Sequence, residues 1–399
     1  MMSLAPFACR LANRCILRVR GTDAHEFLQG VFTNDLRELH PAGSIYGCFL
    51  YFTGRVLCDA HLYQCKQIHN GQASILIDVH ESCTAELFDH LTEMRMRKKV
   101  TIENLNRELV VLAMLGKTPS TPPTGVDMTC SSDLGSGMDA QANSPTLSAS
   151  ETLGERHAQY FADPRNDALF SRWSPLSSEP RLESQDAAAA SMTVPRTSSP
   201  SPDAVSIATP PKWFLRRCVM PATWAPPLSS ADPYTSLLYS RGIGEGPDVF
   251  KNNKSLPFEG NLDFLKGVSF HKGCYLGQEL THRTHVMLVT RKRTVPLRFG
   301  HPRVNPAIAA AAAATSDDAI PTTRPVQVGE SLFSAAKEKI GEVTGVCGDV
   351  GVGLLRLRYV DKATKTVPSL QLKDGTSVQT QLPDWWPSKE VKKLLKNNT

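Results

Sequence analysis

The residues best equipped for chemistry lie in one run, HKGCYLGQELTHRTHV, His271 to Val286. A single Cys274 stands there between Gly273 and Gly277, with Lys272, Tyr275, Gln278, Glu279, Arg283 and three histidines around it. Glycine tolerates positive φ and close backbone approach, so the run reads as a tight loop presenting the thiol. A presented thiol serves as a nucleophile, as a ligand to a metal or cluster, or as a redox group, and each role needs the thiolate. Lys272 and Arg283 would favour that form if they fold near the sulfur. The plainer alternative is an inert cysteine that fills space in a loop. His271, His282 and His285 allow a metal site to be drawn with Cys274. Against that, the segment reads as running into a strand, where residues three apart point to opposite faces. Catalysis by a Cys-His pair needs a histidine within hydrogen-bond reach and a third orienting group, which proximity in sequence does not supply.

Two flanking segments carry further candidates. In SLPFEGNLDFLKGVSF, residues Glu259, Asn261 and Asp263 either bind a polar heterocycle or cap the helix that Leu262, Phe264 and Leu265 suggest. The loop RGIGEGPDVF invites a phosphate-binding reading, but Gly242, Gly244 and Gly246 do not match GxGxxG and no strand immediately precedes them, so it reads as a glycine turn.

The elements that must position these residues begin with a strand over Cys15 to Arg20. A helix follows, its start signalled by Asp23 and Glu26 at capping-box spacing and its apolar face given by Phe27, Leu28 and Val31. Cys48 to Phe52 and Arg55 to Tyr63 read as paired strands around a Thr53-Gly54 turn, and Ser74 to Val79 as another strand. Leu87, Leu91 and Met94 mark a helix, with strands at Val100 to Leu105 and Glu108 to Leu115. About 117–155 and 174–211 are rich in Ser, Thr, Pro, Ala and Asp without periodic apolar positions, so both read as disordered inserts. The island between them, RHAQYFADPRNDALFSRW, reads as structured and packed back on the main domain. A helix near Pro233 to Ser240 and a strand over Thr294 to Phe299 follow, with a third insert at about 303–323. Short strands separated by glycines then predict a small antiparallel barrel or sandwich. The expected division is 1–290, 291–386 and a basic tail, 387–399, forming at most a short helix.

A length of 399 residues suits two domains, and 28 prolines, many clustered, fit the inserts. The net charge of +5 falls short of a nucleic-acid footprint, and RKR at Arg291 to Arg293 reads as a solvated strand end. No apolar run approaches the roughly 20 residues that cross a bilayer, so no membrane span is expected. Ten cysteines without a CxxC pair argue against a structural zinc site or a secreted disulfide scaffold and for a reducing compartment. Arg10, Arg14, Arg18 and Arg20, with no acid before Asp23, resemble an organellar presequence, yet the strand at Cys15 would leave room for only a very short one.

The block KGCYLGQE, Lys272 to Glu279, resembles the signature of the YgfZ group within the GcvT-like, folate-binding aminomethyltransferase superfamily. RVRGTDAHEFLQGVFTNDL, FTGRVLCDAHLY, the DPR at Asp163 to Arg165, GIGEGPDVF, LPFEGNLDFLKGVSF, TRKRTVPLRF and VGLLRLR agree with it in order. The resemblance covers the ordered chain and none of the inserts, which resemble those of fungal members. It implies an α+β fold: a ring of αβ subdomains around a central cleft that accepts tetrahydrofolate, plus a C-terminal antiparallel β-barrel. It also implies a factor of the mitochondrial matrix in late iron-sulfur cluster assembly, more an assembly factor than an enzyme. Such a factor works with A-type scaffold proteins on recipient apoproteins such as aconitase, homoaconitase and lipoate synthase. Cys274 would then be the functional thiol, a ligand to a transient cluster shared with the partner, with Lys272, Gly273, Tyr275, Gly277, Gln278, Glu279 and Arg283 shaping its loop. Asp59, Glu259 and Asn261 would be the contacts to folate. The competing implication is a tetrahydrofolate-dependent aminomethyl transferase. Such enzymes carry an Asp-Asp pair where this chain reads Cys58-Asp59, which places that activity in doubt.

Overall fold

The computed structural model describes residues 5–65, 74–117, 158–170, 213–227, 229–287, 290–300 and 324–397. The expected inserts lie outside these residues, apart from Lys117. Strand β1 (Phe7–Arg10) and the long strand β2 (Arg14–Arg20) open the chain and enter different sheets. Helix α1 (Ala24–Val31) follows, then strands β3 (Ser44–Leu50), β4 (Val56–Gln64) and β5 (Ser74–His80), helix α2 (Glu81–Met94) and strands β6 (Thr101–Asn104) and β7 (Leu109–Lys117). Five of these strands form one sheet in the order β3-β4-β5-β2-β6, antiparallel throughout. Its two faces differ as period-2 side-chain alternation demands. Leu17, Val19, Ile75, Ile77, Ala60 and Leu62 bury against α1 and α2, which contribute Leu28, Leu87 and Leu91. Each Val, Leu or Ile side chain among them, when fully buried, adds about 1.5–3 kcal/mol.

The opposite face looks toward a second sheet, ordered β1-β7-β9-β8, in which β8 (Gln159–Ala162) and β9 (Trp213–Pro221) flank the short helix α3 (Asn166–Phe170) in sequence. The island between the expected inserts therefore packs on the main domain through β8 and β9, with Tyr160 opposite Cys218. Helix α4 (Asp232–Ser240) and the loop after it close a third side, and α5 (Gln278–Met287) leads toward the barrel.

The barrel is closed, with strands β10 (Lys292–Phe299), β11 (Ser331–Ser334), β12 (Lys339–Cys347), β13 (Val350–Arg356), β14 (Leu370–Gln371) and β15 (Ser377–Thr380) in the order β10-β13-β12-β11-β14-β15. Closure by β10 and β15 leaves no strand edge open. The basic tail folds as helix α6 (Ser388–Asn397), and its Val391, Leu394 and Leu395 join the barrel core beside Trp386. It is amphipathic rather than merely basic. No helix among the described residues is long and apolar enough to cross a membrane.

Four local expectations are corrected. Asp23 makes no capping bond to α1. Its carboxylate instead accepts from the Lys99 backbone at 2.8 Å and Glu26 pairs with Lys98 at 2.5 Å, tying the helix start to the α2–β6 turn. No helix forms over Leu262 to Leu265, because Asn261 and Lys266 adopt left-handed φ of 61° and 57° on either side. Arg293 is not a solvated strand end: it is buried, paired with Asp263 at 2.7 Å and stacked 4.0 Å from the Phe264 ring centre. The arginines that resemble a presequence are parts of the fold, with Arg14 buried and Arg18 and Arg20 both paired to Glu103.

Candidate functional site

The cysteine loop is held against two earlier elements by backbone groups. Leu276 N–H donates to the Gly30 carbonyl at 2.9 Å, joining the loop to α1, and Tyr275 N–H donates to Gln278 Oε1 at 3.0 Å, bracing the turn from within. Gly277 sits at φ +77°, and a Cβ there would lie 2.4 Å from the Tyr51 carbonyl oxygen. Gly54, at φ +78°, faces it from the β3–β4 turn, where a Cβ would stand 2.7 Å from Leu280 Cβ. Two left-handed glycines thus let the loop lie directly on the hairpin. Gly273 has open space where a Cβ would go and needs no such freedom, so only one of the two glycines flanking Cys274 is conformationally required.

Lys272 does not approach the thiol as a polarising cation. Its ammonium turns inward and donates to the carbonyls of Gln29, Phe32 and Asn34 at 2.6, 2.7 and 3.0 Å, with the Tyr275 ring centre 4.9 Å away. Burial pushes its pKa down to about 8, against a smaller opposing pull from Asp35. Lys272 is a pin that fixes where the loop emerges. Arg283 is likewise engaged, at 2.9 Å from Glu279 one helical turn back. Both are largely exposed, as a weak surface pair.

The segment after the loop is helix α5, not the approach to a strand, so His282 and His285 share a helix face. They still form no metal site. His285 stacks on Phe270 with ring centres 3.6 Å apart, and among the described residues no group of three or more His, Cys, Asp or Glu is arranged to hold a metal. What distinguishes Cys274 is exposure. Of the nine described cysteines, all free, Cys9, Cys48, Cys58, Cys83 and Cys218 are buried, Cys15, Cys65 and Cys347 are half-buried, and only Cys274 is exposed. Burial raises the Cys9 thiol to about 11 and the Cys48 and Cys58 thiols higher, which disables them as thiolates. Cys274 opens on a groove of about 930 Å³ whose walls include Phe52, Met94, Gly277, Val286 and Met287.

A second concentration of polar side chains fills the space between the two sheets. Asp78 accepts from Arg14 at 2.6 Å and from Arg217 at 2.7 Å, while Arg165 bridges Asp163 at 2.8 Å and Glu245 at 2.7 Å. Arg217 also pairs with Glu245, and Tyr234 donates its hydroxyl to the same carboxylate at 2.7 Å. Burial alone would raise the Glu245 carboxyl, but Arg217, Arg165 and Arg14 together hold it well below the usual range. His61 is pushed down to about 4, first by burial and then by Arg217 and Arg165. The loop carrying Glu245 is the glycine turn of RGIGEGPDVF, with Gly242 and Gly246 at positive φ. No composition signal marks this network; its traces in sequence are the alternation Asp59, His61, Tyr63 along an otherwise apolar strand and the short stretches DPR and GIGEGPDVF that carry Asp163, Arg165 and Glu245.

The three expected folate contacts all have partners within the chain. Asp59 is fully buried, and its two oxygens accept from Gly246 N–H at 2.8 Å and the Tyr46 hydroxyl at 2.9 Å. Its pKa is raised, chiefly by burial. Glu259 accepts from Leu256 N–H at 3.1 Å, which braces the 3-10 turn Pro257–Gly260 rather than the expected helix, and buried Asn261 donates to the Thr294 carbonyl at 2.9 Å. Asp59 thus belongs to the region between the sheets, while Glu259 and Asn261 serve the junction with the barrel. These side chains do not fit tetrahydrofolate as a common set of free polar contacts.

Comparison with known proteins fits this architecture. Residues 291–388 match the family model described as CAF17, C-terminal beta-barrel domain. The glycine cleavage system aminomethyltransferase T of Bartonella henselae, a solved structure, superposes with a TM-score of 0.54 at 12% identity, covering 96% of this chain and 86% of that one, a likeness of fold alone. The human mitochondrial iron-sulfur cluster assembly factor IBA57 is 30% identical over 395 residues, 96% of this chain and 86% of that protein. Its mouse counterpart is 31% identical over 389 residues, with 95% and 85% covered. The homologue from the fungus Mycosarcoma maydis is 26% identical over 412 residues, with 95% and 84% covered. With that identity sustained over nearly the whole length of both proteins, the chain belongs to the family of mitochondrial iron-sulfur cluster assembly factors named IBA57.

Proposed function

We propose that this chain acts late in iron-sulfur cluster assembly in the mitochondrial matrix, using Cys274 as one ligand to a cluster shared with an A-type carrier on its way to four-iron four-sulfur recipients of the aconitase and lipoate synthase type. The observation that carries the reading is the exposure of Cys274 alone among the described cysteines. Thiolate sulfur is the preferred protein ligand for such clusters, and four protein ligands are the rule. One thiol per chain can therefore take part only if a second protein completes the set. The cluster is cargo, and the fold's task is to hold one sulfur in a fixed, accessible place, which Lys272 and Gly277 accomplish.

Anaerobic reconstitution with an A-type carrier tests this. The wild type is expected to develop the visible absorbance of a shared cluster and Cys274→Ser to lack it; matching spectra from the two would remove the shared ligand. Folate-dependent aminomethyl transfer has only the fold in its favour. Turnover of an aminomethyl donor with tetrahydrofolate that survives Cys274→Ala would decide for it.

A further inference from the structure

Between the turn Pro257–Gly260 and helix α5 the chain runs from Asn261 to Gly277 without a helix or a strand, so the place of Cys274 is set by what that run bonds to. Much of the bonding comes from one short stretch, Gln29 to Asn34, which spans the end of α1. Thr33 stands at its centre. The Thr33 N–H donates to the Cys48 carbonyl at 3.0 Å, and the Thr33 hydroxyl, in place of its own carbonyl, accepts from Cys48 N–H at 2.9 Å. That leaves the Thr33 carbonyl to accept from Ser269 N–H at 3.0 Å, while the hydroxyl donates its proton to the Gly267 carbonyl at 2.7 Å. One side chain thus joins β3 to the run that leads into the cysteine loop. Asn34 repeats the arrangement: its amide donates to the carbonyls of Tyr46 in β3 and of Lys266, both at 2.8 Å, and its own carbonyl receives the Lys272 ammonium. Both residues are buried, where a polar group without a partner is costly.

We propose that Thr33 and Asn34 are positioning residues for Cys274, acting through the backbone of Lys266 to Lys272 to fix where the sulfur leaves the surface. The proposal rests on the shared-ligand reading above, since a sulfur that meets ligands held by another protein must stand in one place. The competing role is plain stabilisation of the fold. Against it stands where the bonds go. Beyond β3 and the neighbouring Asp35, every described hydrogen bond of Thr33 and Asn34 ends on Lys266, Gly267, Ser269 or Lys272. That run has no ladder of its own, and ordering its backbone costs entropy that such contacts must offset. The two residues lie more than two hundred positions before the thiol, so their influence on it is a product of the fold and not of the loop's own sequence.

The test uses the full chain and takes two readings besides the melting temperature. One is the rate of Cys274 alkylation by N-ethylmaleimide, followed at its own peptide by mass spectrometry; the other is the absorbance of the cluster shared with an A-type carrier after anaerobic reconstitution. Thr33→Val keeps the shape and loses both hydroxyl bonds, and Asn34→Asp cannot donate to the Tyr46 and Lys266 carbonyls. Each, while folded, is expected to label about threefold faster or more and to hold less than about half the shared cluster. Thr33→Ser, which restores the hydroxyl, is expected to return both readings to wild-type values. Thr380→Val, which removes a 2.7 Å bond to the Pro296 carbonyl in the barrel, is expected to lower the melting temperature and leave both readings unchanged. If Thr33→Val and Asn34→Asp melt earlier yet label and reconstitute like the wild type, their role is structural and the proposal is overturned. Equal shifts in Thr380→Val, or no rescue by Thr33→Ser, would overturn it too. If both variants label faster while Cys274→Ser holds the wild-type cluster, the positioning stands and the shared-ligand reading fails; if Cys274→Ser loses the cluster and both variants behave as wild type, the reverse holds. Should neither variant fold, amide hydrogen exchange in the wild type decides. Ser269 and Leu276, which donate to the Thr33 and Gly30 carbonyls, are expected to exchange about as slowly as Cys48 in β3, and free exchange at either overturns the proposal.

Discussion

Around Glu245 the chain turns its charged groups toward one another and away from water; around Cys274 it leaves a thiol and three large apolar side chains facing out. The first region holds three arginines, three carboxylates and a histidine, and by inventory alone it is the richer in catalytic residue types. Its arginines and acids are paired within the chain, so its chemistry is spent on joining the two sheets. The second region offers little beyond one sulfur, yet that sulfur is free among the described residues and openly accessible. Residue type therefore points to the first region, while the pairing of its groups within the chain favours the second as the proposed site.

The comparison breaks if the charged centre proves dispensable for folding. Glu245→Ala removes the carboxylate on which three buried arginines converge, and removal of one partner from a buried ion pair costs about 3–5 kcal/mol. Denaturant unfolding is expected to register a loss of that size, whereas a loss under about 1 kcal/mol would make the network a site kept for function.

A pH series sharpens the same point. His61 has its pKa depressed to about 4 from an ordinary 6.5, so it is neutral in the fold and the unfolded chain takes up the proton first. Its share of stability is complete above pH 6.5 and is lost as pH falls from there to about 4, up to about 3 kcal/mol in all. In His61→Gln that segment of the pH profile is expected to flatten; an unchanged slope would place His61 in contact with water.

Next in size is the pin. Lys272→Met forfeits three hydrogen bonds to buried carbonyls, for an expected loss of about 2 kcal/mol. The loop should also loosen, so that alkylation of Cys274 quickens. If neither stability nor labelling responds, the loop is held by Gly277 and Leu276 alone. The smallest effect belongs to the thiol: Cys274→Ser is exposed and unbonded, and its melting temperature should match the wild type, with any stability change within about 0.5 kcal/mol.

Local signals carried the second region and not the first. Cys274, Gly277 and the Thr53-Gly54 turn stand in contiguous stretches whose backbone demands are visible in residue type, and the strands of the first sheet follow from alternation. The central network draws Arg14, Asp78, Arg217 and Glu245 from four separate elements to the Asp163–Arg165 turn, and a polar residue in a strand ordinarily signals an outward face. Arg14 accordingly looked like one of a run of presequence arginines. Helix α5 was hidden because it buries only Thr281 and so shows no apolar stripe. The direction of Lys272 was equally out of reach, since a long side chain beside a cysteine can turn toward it or away, and only the carbonyls of residues 29 to 34 decide.

On the proposed reading, function resides in the open sulfur and folding in the closed charges. Recovery of aconitase activity in cells lacking the factor, measured for Cys274→Ser with the amount of folded protein matched to wild type, tests it most directly. The account predicts a normally folded protein that restores no activity. Full restoration by Cys274→Ser would contradict it.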